Sequence, residues 1–365
     1  MTTPRVGVRS DRAVSRSPFL TGLGAWTLDL VRVGPAPHPR WPIATQAALA
    51  MALPVGLFTV VGQPMVGLQA AGGAFTALYL ASATVRERAK ALPLVGLLLL
   101  ACAAAGTAAA ADPTAVLLGL VAVTVVSSAL AYAFALGPPG PVFFVLVYGM
   151  ATTVTAAVDG ARRVEPLAFL AAFAVGCLLA YAVAVAPLVV PGVRRRPARA
   201  LRALLPGPRL SLDARLLLVR VVIVAVAGTV LSALWVDQER AYWTVCSGVA
   251  VIGLSAGRRT AMLRGSQRFV GTVVGAGLFA LIALVSIPAP LLALVLAALQ
   301  FLIELVVVRN YALALVFITP LVLVISTAAV PGADPGGLAS ERVVDTLLGA
   351  VLGMLTAFIH PRQDR

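Results

Sequence analysis

The stretch that decides the fold is residues 241–277, "AYWTVCSGVAVIGLSAGRRTAMLRGSQRFVGTVVGAG". Residues 241–257 carry no charge, and Arg258, Arg259, Arg264 and Arg268 then stand between them and a second apolar run. At about 1.5 Å per helical residue, the first run reaches about 25 Å as a helix. That is short of the ~30 Å hydrocarbon layer a membrane helix must cross. Whether this segment crosses, dips into the bilayer or packs inside a soluble core sets the topology of everything around it.

Composition removes the soluble core: 60% of the 365 residues are hydrophobic, 12% are charged, and the mean hydropathy is +0.99. Such a chain cannot cover a water-facing surface. Apolar runs of spanning length recur between short polar or Pro/Gly breaks, the pattern of an all-α integral membrane protein. The ~10-residue alternating strands of an outer-membrane barrel are not seen.

The runs number twelve, near 42–61, 64–82, 91–111, 114–136, 141–158 and 166–190, then 214–236, 241–257, 267–286, 289–307, 310–330 and 343–360. A shift of 175 positions lays Arg40 on Arg215, Gln63 on Gln238 and Gly73 on Gly248. The halves therefore read as two parallel six-helix repeats, since six crossings return the chain to its starting side. "RRVE" (Arg162, Glu165) and "RVVD" (Arg342, Asp345) read as an arginine and an acid opening each sixth helix. With both termini cytoplasmic and every run crossing, the inside receives the N-terminal arginines, "RERAK" at 86–90, the arginines of 194–215 and those after the eighth run. Arg162, Arg163, Arg240 and Arg342 lie outside. If the second and eighth runs only dipped in, "RERAK" and the central arginines would flip outward, against the positive-inside rule. The short run is thus expected to cross, and the glycine pairs Gly271/Gly275 and Gly349/Gly353 to allow close helix packing.

The expected organisation is a cytoplasmic N-terminal segment at 1–40 with an interfacial amphipathic stretch, a first repeat at 41–190 and a basic linker at 191–213. A second repeat at 214–360 and a tail at 361–365 complete it. The net charge of +14 sits in loops rather than on an aromatic-interleaved face, so it reads as a topology signal and not as nucleic-acid binding. Cys102, Cys177 and Cys246 lie in apolar runs without CxxC spacing, and His38 and His360 are isolated. The cysteines read as inert core thiols, and no metal or cofactor is expected.

The second half resembles the fusaric acid resistance (FUSC) and aromatic acid exporter family of membrane transporters. The residues that carry the resemblance are "YWTVCSGVAVI" (Tyr242, Trp243), "RGSQRFVGTVVGAG" (Arg268, Gly271, Thr272, Gly275), "YALALVFITPLVLVI" (Tyr311, Thr319, Pro320) and "RVVDTLLGAVLG" (Arg342, Asp345, Thr346, Gly349). They cover about 150 residues; the first half fits as a worn copy, with Gly67 and Leu68 where the second has Tyr242 and Trp243. The resemblance implies efflux of aromatic carboxylates or related acids, driven by the proton gradient. The sizeable cytosolic domain that many members carry between the halves is not in this sequence.

Ionisable groups at membrane depth are costly and are therefore site candidates. Glu304, with Gln300 one turn earlier, suits reversible protonation, against a structural ion pair with Arg220 or Arg309. Arg220 suits a bidentate hold on a carboxylate, against snorkelling or pairing with Glu304. Arg268 and Thr272 suit substrate binding at the ninth helix, against anchoring its end. Arg342 and Asp345 read as helix-start caps or as a relay. Tyr242, Trp243 and Trp235 read as an outer aromatic belt, with stacking of an aromatic substrate as the alternative.

These features predict a multi-pass transporter of a bacterial cell membrane, exporting aromatic or other organic acids, with lipids and a small organic acid as partners and a homo-oligomer left open. A passive organic-anion channel and a membrane scaffold without transport activity are the alternatives. An enzyme is not expected, because there is no HExxH, no paired catalytic aspartates and no phosphate-binding Gly-rich Lys-Ser/Thr loop.

Overall fold

The computed structural model describes residues 30, 32–36, 39–158, 161–285, 287–329 and 334–359. The amphipathic N-terminal stretch, both histidines and the C-terminal tail fall outside them. Among the described residues twelve helices have eight or more residues. They are α1 (Trp41–Val60), α2 (Pro64–Ala71), α3 (Val85–Ala109), α4 (Pro113–Ala133), α5 (Val142–Val154) and α6 (Pro166–Val185). There follow α7 (Leu212–Trp235), α8 (Ala241–Ile252), α9 (Arg258–Ala283), α10 (Ala289–Val306), α11 (Tyr311–Ala329) and α12 (Pro335–Leu355). Single-turn helices Pro191–Arg194 and Leu201–Leu204 lie between α6 and α7.

Local chemistry sets these ends. Pro64, Pro113, Pro166 and Pro335 open their helices where the missing N–H costs nothing. Thr84 and Glu87 form a reciprocal capping box on α3, and Asp112, Glu165, Ser211 and Asp334 accept from first-turn amides of α4, α6, α7 and α12.

Among the described residues nine helices are long and apolar enough to cross a membrane: all but α2, α5 and α8. Their outer faces carry large apolar side chains such as Leu97, Leu118, Leu178, Leu281 and Leu294, as expected where lipid replaces water. The chain is an all-α integral membrane protein.

Three expectations are corrected. The opening run does not stay helical to residue 257: α8 ends at Ile252, and Gly253 follows with φ +56°, a left-handed conformation glycine adopts freely. Twelve residues make a rod of only about 18 Å. The second run is likewise short, an eight-residue helix continued as a 3-10 helix over Gly72–Leu78. Third, α12 starts at Pro335, so Arg342 and Asp345 lie two turns inside it and Asp334 makes the cap. Glu165, by contrast, does cap α6, while Arg162 belongs to a two-residue strand paired with Ala157–Val158.

Packing follows small residues. Where α2 and its 3-10 extension cross α6, a Cβ on Gly73 would lie 2.2 Å from Cys177 N, and one on Gly176 1.7 Å from Ala70 O. Where α8 crosses α12, a Cβ on Gly349 would lie 2.2 Å from Thr244 O. In both crossings backbone touches backbone. The helix pairs α1–α2, α2–α6, α3–α5 and α3–α6 pack in the first half, and α7–α8, α8–α12, α9–α11 and α9–α12 in the second. Between the halves α1 packs on α10, α4 on α7 and α5 on α8.

Basic residues gather at one end of this bundle. There Glu87 receives the Arg199 backbone N–H (3.1 Å) and Nε (2.7 Å), Arg86 donates to Arg196 O, and Lys90 to Arg199 O, fastening the basic linker to the start of α3. The Glu87 hydrogen bond and charge raise the Arg199 guanidinium above its ordinary value. At the same end Asn310 Nδ2 donates to Leu30 O and Arg32 O, strapping the approach to α1 onto the α10–α11 turn.

Candidate functional site

A line of arginines flanks the short helix α8 from its first turn to its last. Arg240, just before α8, lies 3.1 Å from Glu341, 3.3 Å from Asp237 and 3.8 Å from Asp345. Arg342 of α12 places its guanidinium carbon 3.9 Å from the Trp243 ring centroid, a cation–π contact. One turn along α8, Ser247 Oγ accepts from Arg268 Nη2 at 3.2 Å, and Arg268 Nη1 donates to the Tyr311 hydroxyl at 2.5 Å. Arg264 stacks over the Tyr311 ring, beside the glycine that ends α8.

Two of these cations are deep inside the protein: Arg268 and Arg342 are each 5% exposed. Neither is fully satisfied. Arg268 Nε, and Arg342 Nε and Nη1, are buried and bond no protein acceptor. The hydroxyls of Thr272, Thr244, Thr319 and Thr346 are in the same condition, as are both carboxylate oxygens of Asp345. Buried guanidinium N–H groups without acceptors are costly, and an entering anion would supply what these donors lack. Two arginines against Asp345 leave the buried centre one positive charge in excess.

The sequence candidates divide accordingly. Trp243, Arg342 and Asp345 meet around α8 and α12 with Arg268 of α9, and Thr272 is buried one turn after Arg268 on α9. Tyr242 joins them, but not as part of an aromatic belt: its side chain is buried and tilted on Trp243 at 4.8 Å between centroids. Its ring covers Gly149, where a Cβ would lie 2.0 Å from Tyr242 Cγ. Trp235, in contrast, is 79% exposed, as a belt residue should be.

Glu304 and Arg220 stand apart from this group and from each other. Glu304 takes Arg40 rather than Arg220 or Arg309, with Nη2 to Oε2 at 2.8 Å and Nε to the Glu304 carbonyl at 3.2 Å. Arg40 lies just before α1, which packs along α10, so the pairing crosses between halves far apart in sequence. Arg220, fully buried, closes the end of α12 by donating from Nε to Thr356 Oγ1 (3.3 Å) and from Nη2 to Gly353 O (3.5 Å). It is neither a snorkelling arginine nor a partner of Glu304. Its position suits the negative end of a helix.

Sequence reasoning missed Ser247 and Gly149. Ser247 lies on the quoted stretch, one helical turn after Trp243 and so on its face, a signal that was present. Gly149 had no such signal. Among the described residues, no group of three His, Cys, Asp or Glu could hold a metal ion.

Residues 226–356, which contain this whole site apart from Gly149, match the family described as fusaric acid resistance protein-like. The chain is also 38% identical over 116 residues to the uncharacterized membrane protein YvaC of Bacillus subtilis (strain 168). That match covers 32% of this chain and 18% of the relative. No solved structure matches. The second half is thus similar to the fusaric acid resistance protein-like family and to part of a bacterial membrane protein, in a chain whose described helices are long and apolar enough to span a membrane.

Proposed function

We propose that the protein exports organic acids, aromatic monocarboxylates foremost, and that the anion passes along α8 on Arg342 and Arg268. The observation that carries this reading is the pair of buried guanidiniums with unbonded N–H groups beside Trp243 and Tyr311. Carboxylate is the acceptor that matches a guanidinium fork, and the aromatic rings offer a face to an aromatic substrate. A helix of about 18 Å leaves less protein to traverse than a full span.

The halves are two six-helix repeats in this proposal, with both termini and the basic end cytoplasmic. Support comes from the parallel helix contacts, in which α1–α2, α2–α6, α3–α5 and α3–α6 recur as α7–α8, α8–α12, α9–α11 and α9–α12. The linker arginines at one end accord with the positive-inside rule. Asp345, whose oxygens accept no hydrogen bond, is the carboxylate we assign to proton coupling; Glu304 is held by Arg40.

The test is flux in proteoliposomes with radiolabelled benzoate and aliphatic carboxylates, imposing a pH gradient and a potential separately. Wild type should accumulate benzoate above equilibrium only with the pH gradient, and Arg342→Gln or Arg268→Gln should abolish uptake. Flux that only relaxes to equilibrium means a channel, and flux indifferent to both substitutions removes the pathway from α8.

A further inference from the structure

A second cluster of buried charge lies between the halves, at the basic end and away from α8. Arg88, in the first turn of α3, is 1% exposed. It donates from Nη1 to Gln46 Oε1 of α1 and from Nη2 to the Ala77 carbonyl at 2.6 Å. Its partner Gln46 stands on α1, the helix that packs along α10, where Glu304 is bound to Arg40. Gln300, one turn before Glu304 on the same face, is 3% exposed.

Two polar atoms here are buried without a partner, Arg88 Nε and Gln300 Nε2. Both are donors. What the cluster lacks is therefore an acceptor, not a donor or a cation. The charge count agrees: Arg40 and Arg88 against Glu304 leave one positive charge uncompensated, and burying an unpaired cation is far costlier than burying a pair. No single element supplies the cluster, because α1 and α3 bring Gln46 and Arg88 while α10 brings Gln300 and Glu304.

We infer that Arg88, Gln46 and Gln300, with Arg40 and Glu304, form a second anion-binding centre, which takes one small monovalent carboxylate between the halves. Glu304 is its internal competitor, occupying Arg40 until a carboxylate shares the two arginines. The inference rests on the reading of the chain as a carrier of organic acids, but not on the pathway along α8. An acid leaving the basic end meets this centre as well as the arginines of α8.

Equilibrium dialysis of the purified full chain with radiolabelled benzoate, in chloride-free buffer, tests it. Wild type should bind two equivalents. Arg342→Gln should remove one and Arg88→Gln the other. Glu304→Gln, which keeps the side-chain shape and deletes the competing charge, should tighten the Arg88-dependent equivalent at least tenfold and leave the other unchanged. The Glu304 variant keeps the test informative if Arg88→Gln fails to fold. One wild-type equivalent, lost in Arg342→Gln, overturns the second centre and leaves the proposed function standing. Two equivalents indifferent to Glu304→Gln overturn the assignment to this cluster, and no binding at all overturns both.

Discussion

Replacing Gly349 with alanine strikes the crossing that brings the α8 site together. The new Cβ would lie 2.2 Å from Thr244 O, 2.7 Å from Ser247 Cβ and 3.0 Å from Gly248 N. Real Cβ atoms do not approach closer than 3.0 Å, so α8 and α12 must part by about 0.8 Å (3.0 − 2.2). Backbone, not a flexible side-chain tip, is in the way. Overpacking of this kind costs about 1–3 kcal/mol, against at most about 1 kcal/mol gained from the helix preference for alanine. A net destabilisation of up to about 2 kcal/mol is expected, and about 1–3 kcal/mol relative to an alanine at an open helical glycine. The same displacement acts on Arg342 and Trp243, now 3.9 Å apart, so benzoate affinity should fall about tenfold, equivalent to about 1.4 kcal/mol. The assay is the detergent unfolding midpoint by circular dichroism, paired with equilibrium dialysis. Gly277→Ala is the control, because a Cβ there meets nothing within 4 Å. If Gly349→Ala proved as stable as Gly277→Ala and bound benzoate like wild type, the close crossing would not be what holds the site.

Gly149→Ala puts a Cβ 2.0 Å from Tyr242 Cγ, so it should displace the ring and weaken benzoate binding several-fold although Gly149 lies in the other half; affinity at the wild-type value would show that α5 does not shape the site. Glu87→Gln removes the anion that fastens the linker through Arg199, and trypsin cleavage after Arg199 should quicken several-fold with benzoate flux unchanged, measured by time-resolved proteolysis of proteoliposomes. An unchanged cleavage rate would mean that the neighbouring bonds from Arg86 and Lys90 hold the linker without it.

The membrane class and the places of the helices were legible in the sequence because hydropathy and length are local. A run of apolar residues must cross or be buried whatever its neighbours do. Boundaries failed where a polar segment is helical for other reasons. Arg258 to Arg268 and the segment from Pro335 to Asp345 continue into apolar helices, so hydropathy places the starts of α9 and α12 too late. That single error made Asp345 look like a cap when it is a buried carboxylate two turns in. The end of α8 escaped for the opposite reason: residues 253–257 are apolar enough to continue a span, but Gly253 turns the backbone away.

Partners were another matter. The sequence marked Glu304 and Arg220 as costly inside a membrane, and it offered Arg268, Arg342 and Asp345 as candidates at helix ends. Tertiary structure alone decided that Glu304 meets Arg40, that Arg220 closes α12, and that Arg342 covers Trp243. It also brought Tyr242 inward onto Gly149. Burial cost belongs to one residue and its surroundings in the chain, whereas a partner 264 positions away is chosen by how α1 and α10 pack. Charge specifies only that a partner must exist.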